Sequence, residues 1–263
     1  MSSLSELEVI IPTYHSRVLT AILLKSFEKF KPESINLTYH VVENSSDTSY
    51  KDQILSISEN IIWYNNPEAD TNKDNSNNKP SWANCAAVDF VRENVKSEYT
   101  LLCHNDCIIA SGLFFEEIEQ KVGEGYKLIG TSKFPSNDAL HIAGLLVETE
   151  MLNKVGVTPD FSRGLDVGDI LTAHCDNESI PYFCFDNTLN DKSLTMYCDE
   201  PWKSLGPNCG IDRALDTGRN EVVYVHLARG AEKTFNRYSK PGKVYMSGWE
   251  EICCKHILEV ESV

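Results

Sequence analysis

The stretch Tyr99-Thr-Leu-Leu-Cys-His-Asn-Asp-Cys-Ile-Ile109 sets the organisation of this chain. Its apolar run, Leu101 to Cys103, predicts a buried strand, and the polar triplet His104-Asn105-Asp106 follows at once. Open α/β sheets bind ligands outside the carboxyl ends of their strands, so a carboxylate at this point indicates a binding site. On this stretch alone, a strand followed by an ordinary polar turn is the simpler interpretation, and the rest of the sequence reverses that preference.

The chain before this stretch alternates between strand and helix patterns. In order, it predicts a strand over 8–14, a helix over 16–29, a strand over 37–42, a helix over 50–59 and a strand over 61–64. An amphipathic helix over 81–96 then leads into the central stretch as a fourth strand. Repeated strand–helix–strand units require parallel crossovers, so the sequence predicts an α/β fold with a mixed, mostly parallel sheet flanked by helices.

The second half of the chain carries weaker patterns. Predicted strands lie at 127–130, 140–147 and 221–226, and predicted helices at 112–121, 148–155, 170–178 and 249–259. Two polar segments contain no such pattern. The segment 65–79 is predicted to be a mobile loop or lid, and 189–218 is predicted to be irregular.

Composition limits the classes of protein to consider. With 263 residues, 41% of them hydrophobic and 24% charged, the chain is predicted to be a single domain with a sizeable core. It lacks an apolar run of about 18 residues and a signal-peptide pattern at its start, which predicts no transmembrane segment and a cytoplasmic location. Its nine cysteines form no Cys-x-x-Cys pair and are predicted to be reduced and mostly buried.

The net charge of −15 argues against broad attraction to nucleic acid or to anionic membranes. An anionic ligand would therefore need a metal ion or a few focused cations.

Common motifs are also missing. The first strand is not followed by Gly-x-Gly-x-x-Gly, and the sequence contains no P-loop, no His-Glu-x-x-His and no Gly-x-Ser-x-Gly.

Five segments, taken in order, resemble the GT-A glycosyltransferases, in particular the large family-two type that uses nucleoside-diphosphate sugars. They span roughly residues 8–185, and the resemblance extends to about 235. The segments are Val9-Ile-Ile-Pro-Thr-Tyr14, His40-Val-Val-Glu-Asn-Ser-Ser-Asp47, Ser81-Trp-Ala-Asn84, His104-Asn105-Asp106 and Gly164-Leu-Asp-Val-Gly-Asp-Ile170.

The chain departs from the family pattern at several of the matched positions. Glu43 stands where the family usually has a nucleoside-binding Asp, and His15 where Asn is common. His104 replaces the first acidic residue of the metal-binding Asp-x-Asp motif, and Asp106 keeps the last. The family's Glu-Asp pair becomes Gly168-Asp169, so that only its second member remains.

The resemblance implies a single GT-A domain, with a nucleotide-sugar-binding half at approximately 1–110 and an acceptor-binding half at 111–263. It implies a nucleoside-diphosphate sugar donor and a Mn²⁺ or Mg²⁺ cofactor held by Asp106 and His226, since a diphosphate leaving group needs a hard cation. Asp169 is the expected catalytic base, with Asp166 as a rival. Residues expected to contact the nucleotide sugar are Pro12, Thr13, Tyr14, Glu43, Asn84, His104, Asn105, Arg229 and Lys233.

Several alternatives stay open. His104 can ligate the metal, bind the ribose or merely pack, and surface charge is the alternative for Arg229, Lys233 and, more strongly, Arg237. Trp82 is expected in the core, and Trp202 lies in a loop where it can stack near the acceptor.

The acceptor is unassigned among a glycan, a small molecule and a modified DNA base. The expected inverting transferase competes with a viral-type DNA-base glycosyltransferase, a retaining transferase and a non-catalytic nucleotide-sugar-binding module.

Overall fold

A computed structural model describes residues 4–71, 79–234 and 240–263 of the chain. The predicted alternation of strands and helices is confirmed in the first half. The elements are β1 (Glu6–Thr13), α1 (Arg17–Phe30), β2 (Asn36–Glu43), α2 (Lys51–Leu55), β3 (Ile61–Asn65), α3 (Lys79–Val91) and β4 (Tyr99–Leu102). Residues 72–78 of the predicted loop at 65–79, and Arg237, lie outside the described residues.

The second half adds shorter elements. They are β5 (Cys107–Ile109), α4 (Leu113–Gly123), β6 (Leu128–Gly130), β7 (Leu145–Glu148), α5 (Thr149–Val155), α6 (Asp169–Glu178), β8 (Tyr182–Cys184), β9 (Asp186–Asn187), β10 (Asp212–Asp216), β11 (Glu221–His226), α7 (Gly230–Thr234) and α8 (Met246–Ile252). Short 3₁₀ segments lie between them, and a π-helical segment, Cys253–Leu258, follows α8.

The main sheet has seven strands in the order β3-β2-β1-β4-β7-β6-β8. Strands β1 to β4 are mutually parallel, whereas β7 runs antiparallel to both of its neighbours. The predicted mixed, mostly parallel sheet is therefore confirmed. The carboxyl ends of β1, β2 and β4 lie side by side at one edge of the sheet, because Thr13 pairs with Glu43 and Ile10 pairs with Leu102.

Both faces of this sheet are buried, which explains the apolar runs. Successive residues of a strand point to opposite faces. On β1, Val9 and Ile11 pack in one core cluster with Phe27 of α1, whereas Ile10 packs in another with Val88 of α3. The first strand can therefore be apolar at every position of its centre.

A second, antiparallel sheet has the order β5-β11-β10-β9. Strand β11 was predicted, but the prediction that 189–218 is irregular was wrong at β10. This strand carries Asp212, Arg213 and Asp216, whose charges hide the strand pattern. Arg213 is nevertheless fully buried, and it donates hydrogen bonds to Thr188 Oγ1 and to the carbonyl oxygens of Trp202 and Gly206.

Several predicted boundaries were also wrong. The strand expected at 140–147 is restricted to β7, because Gly144 has a φ of +96° and the chain turns there. The helix expected at 81–96 ends at Val91, and a 3₁₀ turn follows. The C-terminal helix begins earlier than expected and changes to π geometry at Cys253.

Two tryptophans do not lie where the sequence placed them. Trp202 is 1% exposed and packs against Trp249, so stacking on an acceptor is wrong for this residue. Trp82 is half-buried rather than in the core, and its ring contacts Phe161 edge-on. All nine cysteines are free thiols, as predicted. None of the helices among the described residues combines the length and apolar character needed to cross a membrane.

Candidate metal centre

Strand pairing brings distant polar residues to one place. The triplet His104-Asn105-Asp106 connects β4 of the main sheet to β5 of the small sheet. Strand β11 pairs antiparallel with β5, and its last residue, His226, lies opposite Cys107. As a result, Nε2 of His226 lies 3.4 Å from Oδ1 of Asp106. Asp106 and His226, which the sequence predicts as metal ligands, are therefore adjacent in space.

Backbone donors fix Asp106 in position. Its side chain is buried, and Oδ2 accepts a 2.8 Å hydrogen bond from the Gly230 backbone N–H at the start of α7. The Leu227 N–H donates to the Asp106 carbonyl oxygen at 2.9 Å. Burial alone would raise the pKa of Asp106, but the facing His226 holds this pKa well below its usual range. Asp106 is therefore an anion with one carboxylate oxygen directed toward the histidines.

His226 lies between two carboxylates. Its Nδ1 is 3.5 Å from Oδ2 of Asp212 on β10, on the side away from Asp106. Burial would lower the pKa of His226, but Asp106 and Asp212 together raise it to about 10. A carboxylate behind a histidine is a common arrangement at metal sites, where it orients the ring and raises its basicity.

His104 completes the group from the end of β4. Its Nε2 accepts a 3.2 Å hydrogen bond from the Asn84 side-chain amide on α3. Burial lowers the pKa of His104 to about 4, against the opposing charge of Asp106, so the ring is neutral near pH 7. One ligand atom from each of His104, Asp106 and His226 lies within 4.8 Å of the others. Two imidazole nitrogens and one carboxylate suit Mn²⁺ and related transition ions better than Mg²⁺, so this donor set fits a divalent cation.

A third histidine, which the sequence analysis missed, lies against this group. The His141 ring centroid is 5.4 Å from the centroids of both His104 and His226. On another side, the ring stacks on Phe134 at 5.5 Å. The available signal is a polar residue inside the apolar run Leu140-His-Ile-Ala143, where the sequence pattern predicts a continuous strand.

The cations predicted to meet the diphosphate are in different environments. Lys233 is buried, and its Nζ donates to the Leu227 carbonyl oxygen at 2.8 Å. Burial lowers the pKa of Lys233 to about 8, and the charge of Asp106 partly offsets this effect. Arg229 is exposed and pairs with Glu232 at 3.1 Å. Lys233 therefore lies within electrostatic reach of the centre, whereas Arg229 lies at its surface.

Residues predicted to contact the nucleoside line the ends of β1 and β2. Asn105 donates to Thr13 Oγ1 at 3.1 Å, which connects the triplet to β1. Pro12 is buried, and Tyr14 is 37% exposed just beyond the strand. The structure thus places these predicted residues along one edge of the sheet with Asp106.

Glu43 ends β2 and is completely buried. Its carboxylate accepts hydrogen bonds from Ser45 Oγ at 2.7 Å, from the Tyr50 hydroxyl and from the His15 backbone N–H. Burial raises the pKa of Glu43, against the lowering effect of these hydrogen bonds. The carboxylate thus organises the turn after β2 through protein donors.

Asp169, the predicted base, is the first residue of α6 and is 1% exposed. Its Oδ2 accepts hydrogen bonds from the Asn137 side-chain amide at 2.6 Å and from the Asp166 backbone N–H at 2.8 Å. Burial raises its pKa, and these two hydrogen bonds oppose the shift. Asn137 and His141 both lie between β6 and β7, so this connection links Asp169 to the histidine group. Asp166 is less buried, and its charge acts on His104.

The strand order is that of a GT-A-type fold, which confirms the fold that the sequence resemblance implies. A mannosyltransferase from Pyrobaculum calidifontis, solved with GDP-Man and Mn²⁺, matches 68% of this chain at a TM-score of 0.51 and 12% identity. The match covers 54% of that protein, so the chain spans about half of its length.

Two further solved structures are similar at lower TM-scores. Glucosyl-3-phosphoglycerate synthase from Mycobacterium tuberculosis, in complex with Mn²⁺, UDP-Glc and phosphoglyceric acid, has 12% identity and a TM-score of 0.47, covering 68% of this chain and 69% of its own. Residues 1–349 of TarS from S. aureus, with UDP-GlcNAc, have 15% identity and a TM-score of 0.41, covering 59% and 48%. No protein-family model and no curated protein sequence matches the chain.

Proposed function

We propose that this protein is a metal-dependent glycosyltransferase that moves a sugar from a nucleoside-diphosphate sugar to an acceptor hydroxyl, with inversion at the sugar carbon. One observation carries the proposal. His104, Asp106 and His226 converge at the carboxyl end of β4, where open α/β sheets bind ligands. The Mn²⁺ and GDP-Man in the mannosyltransferase of similar fold support the choice of donor and cofactor.

His104, Asp106 and His226 would hold Mn²⁺ or Mg²⁺, and their donor set favours Mn²⁺. When bound, the cation would neutralise the negative charge that develops on the departing diphosphate. The chain itself contributes Lys233, a buried cation whose pKa already responds to Asp106 and which would favour an anionic ligand at the centre. Asn105 and Thr13 would position the nucleoside side of the donor through their existing hydrogen bond.

Asp169 would take the proton of the attacking acceptor hydroxyl. Burial raises the pKa of Asp169, so its carboxylate accepts a proton more readily than a solvent-exposed carboxylate does. The hydrogen bonds from Asn137 and Asp166 hold Oδ2 in place. Asp166 is the second candidate, because it is more exposed on the same loop.

Three further proposals follow from the same reading. The chain would act as one domain, with residues 1–110 contributing most of the donor site and 111–263 most of the acceptor site. A cytoplasmic location is supported by the nine free thiols, eight of them buried. The acceptor would be a glycan, a small molecule or a modified DNA base. The net charge of −15 disfavours DNA.

A donor panel tests the proposed function. Purified protein is incubated with Mn²⁺ and a set of UDP- and GDP-sugars, and release of the nucleoside diphosphate is measured with and without candidate acceptors. We expect turnover with at least one donor, its loss in Asp106→Asn and its retention in Asp176→Asn, which removes the same charge at an exposed position on α6. An Asp106→Asn variant as active as the wild type would refute the site. The anomer of the product distinguishes inversion from retention.

A further inference from the structure

His141 occupies a place beside the metal centre that the proposed function leaves without a role. Its ring touches both His104 and His226, with ring centroids 5.4 Å apart in each case. Phe134 stacks on it with an interplanar angle of 28°, and the His141 backbone N–H donates to the Ser132 carbonyl oxygen at 2.9 Å. The ring is thus held by packing and by its backbone, and it is only half-buried.

The hydrogen bonds of His141 define its tautomer. Nδ1 accepts a hydrogen bond from the Ala143 backbone N–H at 3.4 Å, so Nδ1 carries no proton. The single proton of the ring is then on Nε2, which makes Nε2 a donor. Among residues 4–71, 79–234 and 240–263, Nε2 of His141 has no hydrogen-bond partner, and His141 offers no ligand atom to the group formed by His104, Asp106 and His226.

We propose that His141 is a donor-binding residue whose Nε2–H donates to an anionic oxygen of the diphosphate in the nucleotide sugar. This inference rests on the proposed function. His104, Asp106 and His226 would supply three ligands to a cation, and phosphate oxygens would complete its coordination. The His141 ring contacts both histidines of that group, so its Nε2–H would be within reach of a non-ligating oxygen of a diphosphate bound to the cation. His141 therefore binds substrate and does not bind the metal.

Two substitutions distinguish the effect of the aromatic ring of His141 from the effect of its N–H donor. His141→Phe keeps an aromatic ring against Phe134 and removes the N–H, whereas His141→Gln removes the ring and keeps an amide N–H at about the position of Nε2. Binding of Mn²⁺ alone is measured by isothermal titration calorimetry. Binding of UDP and GDP is then measured in saturating Mn²⁺, and urea midpoints establish that each variant is folded.

In wild-type protein we expect Mn²⁺ to bind, and UDP or GDP to bind only with Mn²⁺ present. His141→Phe should keep the Mn²⁺ affinity and lose roughly 10- to 100-fold in nucleotide affinity, the usual effect of removing a hydrogen bond to a charged group. His141→Gln should recover most of that loss.

Unchanged nucleotide affinity in His141→Phe would overturn this inference but not the proposed function. Loss of Mn²⁺ affinity in the same variant would also overturn it, because His141 would then be a ligand. A wild-type protein that binds Mn²⁺ but no nucleoside diphosphate would overturn the proposed function, and this inference with it.

Discussion

Replacing Gly230 by alanine tests how the Asp106 carboxylate is held. A Cβ atom added at Gly230 would lie 2.3 Å from Cβ and 2.8 Å from Oδ2 of Asp106. Carbon atoms in contact are normally about 3.5–4.0 Å apart, so the two residues must separate by about 1 Å. That movement breaks the 2.8 Å hydrogen bond from the Gly230 N–H to the carboxylate.

The expected effects of this substitution follow from overpacking and from the lost hydrogen bond. Overpacking typically destabilises a protein by about 1–3 kcal/mol, so Gly230→Ala should unfold at lower urea concentration. Loss of a group that orients a metal ligand commonly lowers metal affinity by about 10- to 100-fold, and we expect a decrease in this range for Mn²⁺. Isothermal titration calorimetry of the metal-free protein measures it directly.

Gly123→Ala provides the matched control. Gly123 is the last residue of α4, and an added Cβ meets no atom within 4 Å. This variant should bind Mn²⁺ as the wild type does and should be equally or slightly more stable. If Gly230→Ala bound Mn²⁺ with wild-type affinity, the reasoning that the close approach of Gly230 fixes Asp106 would be refuted.

Three further outcomes are expected. Since His226 has a pKa of about 10 in the metal-free protein and must be neutral to ligate, Mn²⁺ affinity should rise about tenfold per pH unit from pH 7 to 9; a flat profile would contradict the Asp106–His226 pairing. Arg213→Leu should destabilise the protein by about 3 kcal/mol in urea titrations, because buried carbonyl oxygens lose their donors, and should leave Mn²⁺ affinity nearly unchanged. Trp202→Ala should lower the free energy of unfolding by about 3–5 kcal/mol through loss of packing against Trp249, and Trp202→Phe by less.

The parallel half of the fold was predictable because its strands are buried on both faces. Val9, Ile10 and Ile11 are all apolar, although they pack against different helices, and such runs are visible without knowledge of the fold. The turn-forming segments between strands and helices fix the alternation. The sequence therefore indicated the carboxyl end of β4 as a binding edge before any tertiary contact was known.

The small sheet was harder to predict because tertiary contacts reverse its sequence pattern. Arg213 looks like a surface residue, but hydrogen bonds from its guanidinium allow complete burial in β10. Trp202 lies in a polar segment, and only α8, which comes later in the chain, supplies the Trp249 ring that covers it. Burial of such residues depends on partners that are distant in sequence, so local periodicity does not reveal it.

The candidate site was likewise predictable only in part. Asp106 and His226 were predicted from strand ends and family resemblance, and their proximity follows from the pairing of β5 with β11. His141 was missed because it approaches the centre from a turn before β7, which the sequence presented as part of a strand. A histidine inside an apolar run carries no local sign of the two histidines that it contacts.

His104, Asp106 and His226 together should hold one divalent cation. Crystals grown with Mn²⁺ and UDP or GDP, measured at the manganese absorption edge, test it most directly. We expect one anomalous peak in coordination contact with all three side chains, and its absence in crystals of Asp106→Asn. A manganese peak elsewhere in the protein, with these three side chains unliganded, would contradict the account.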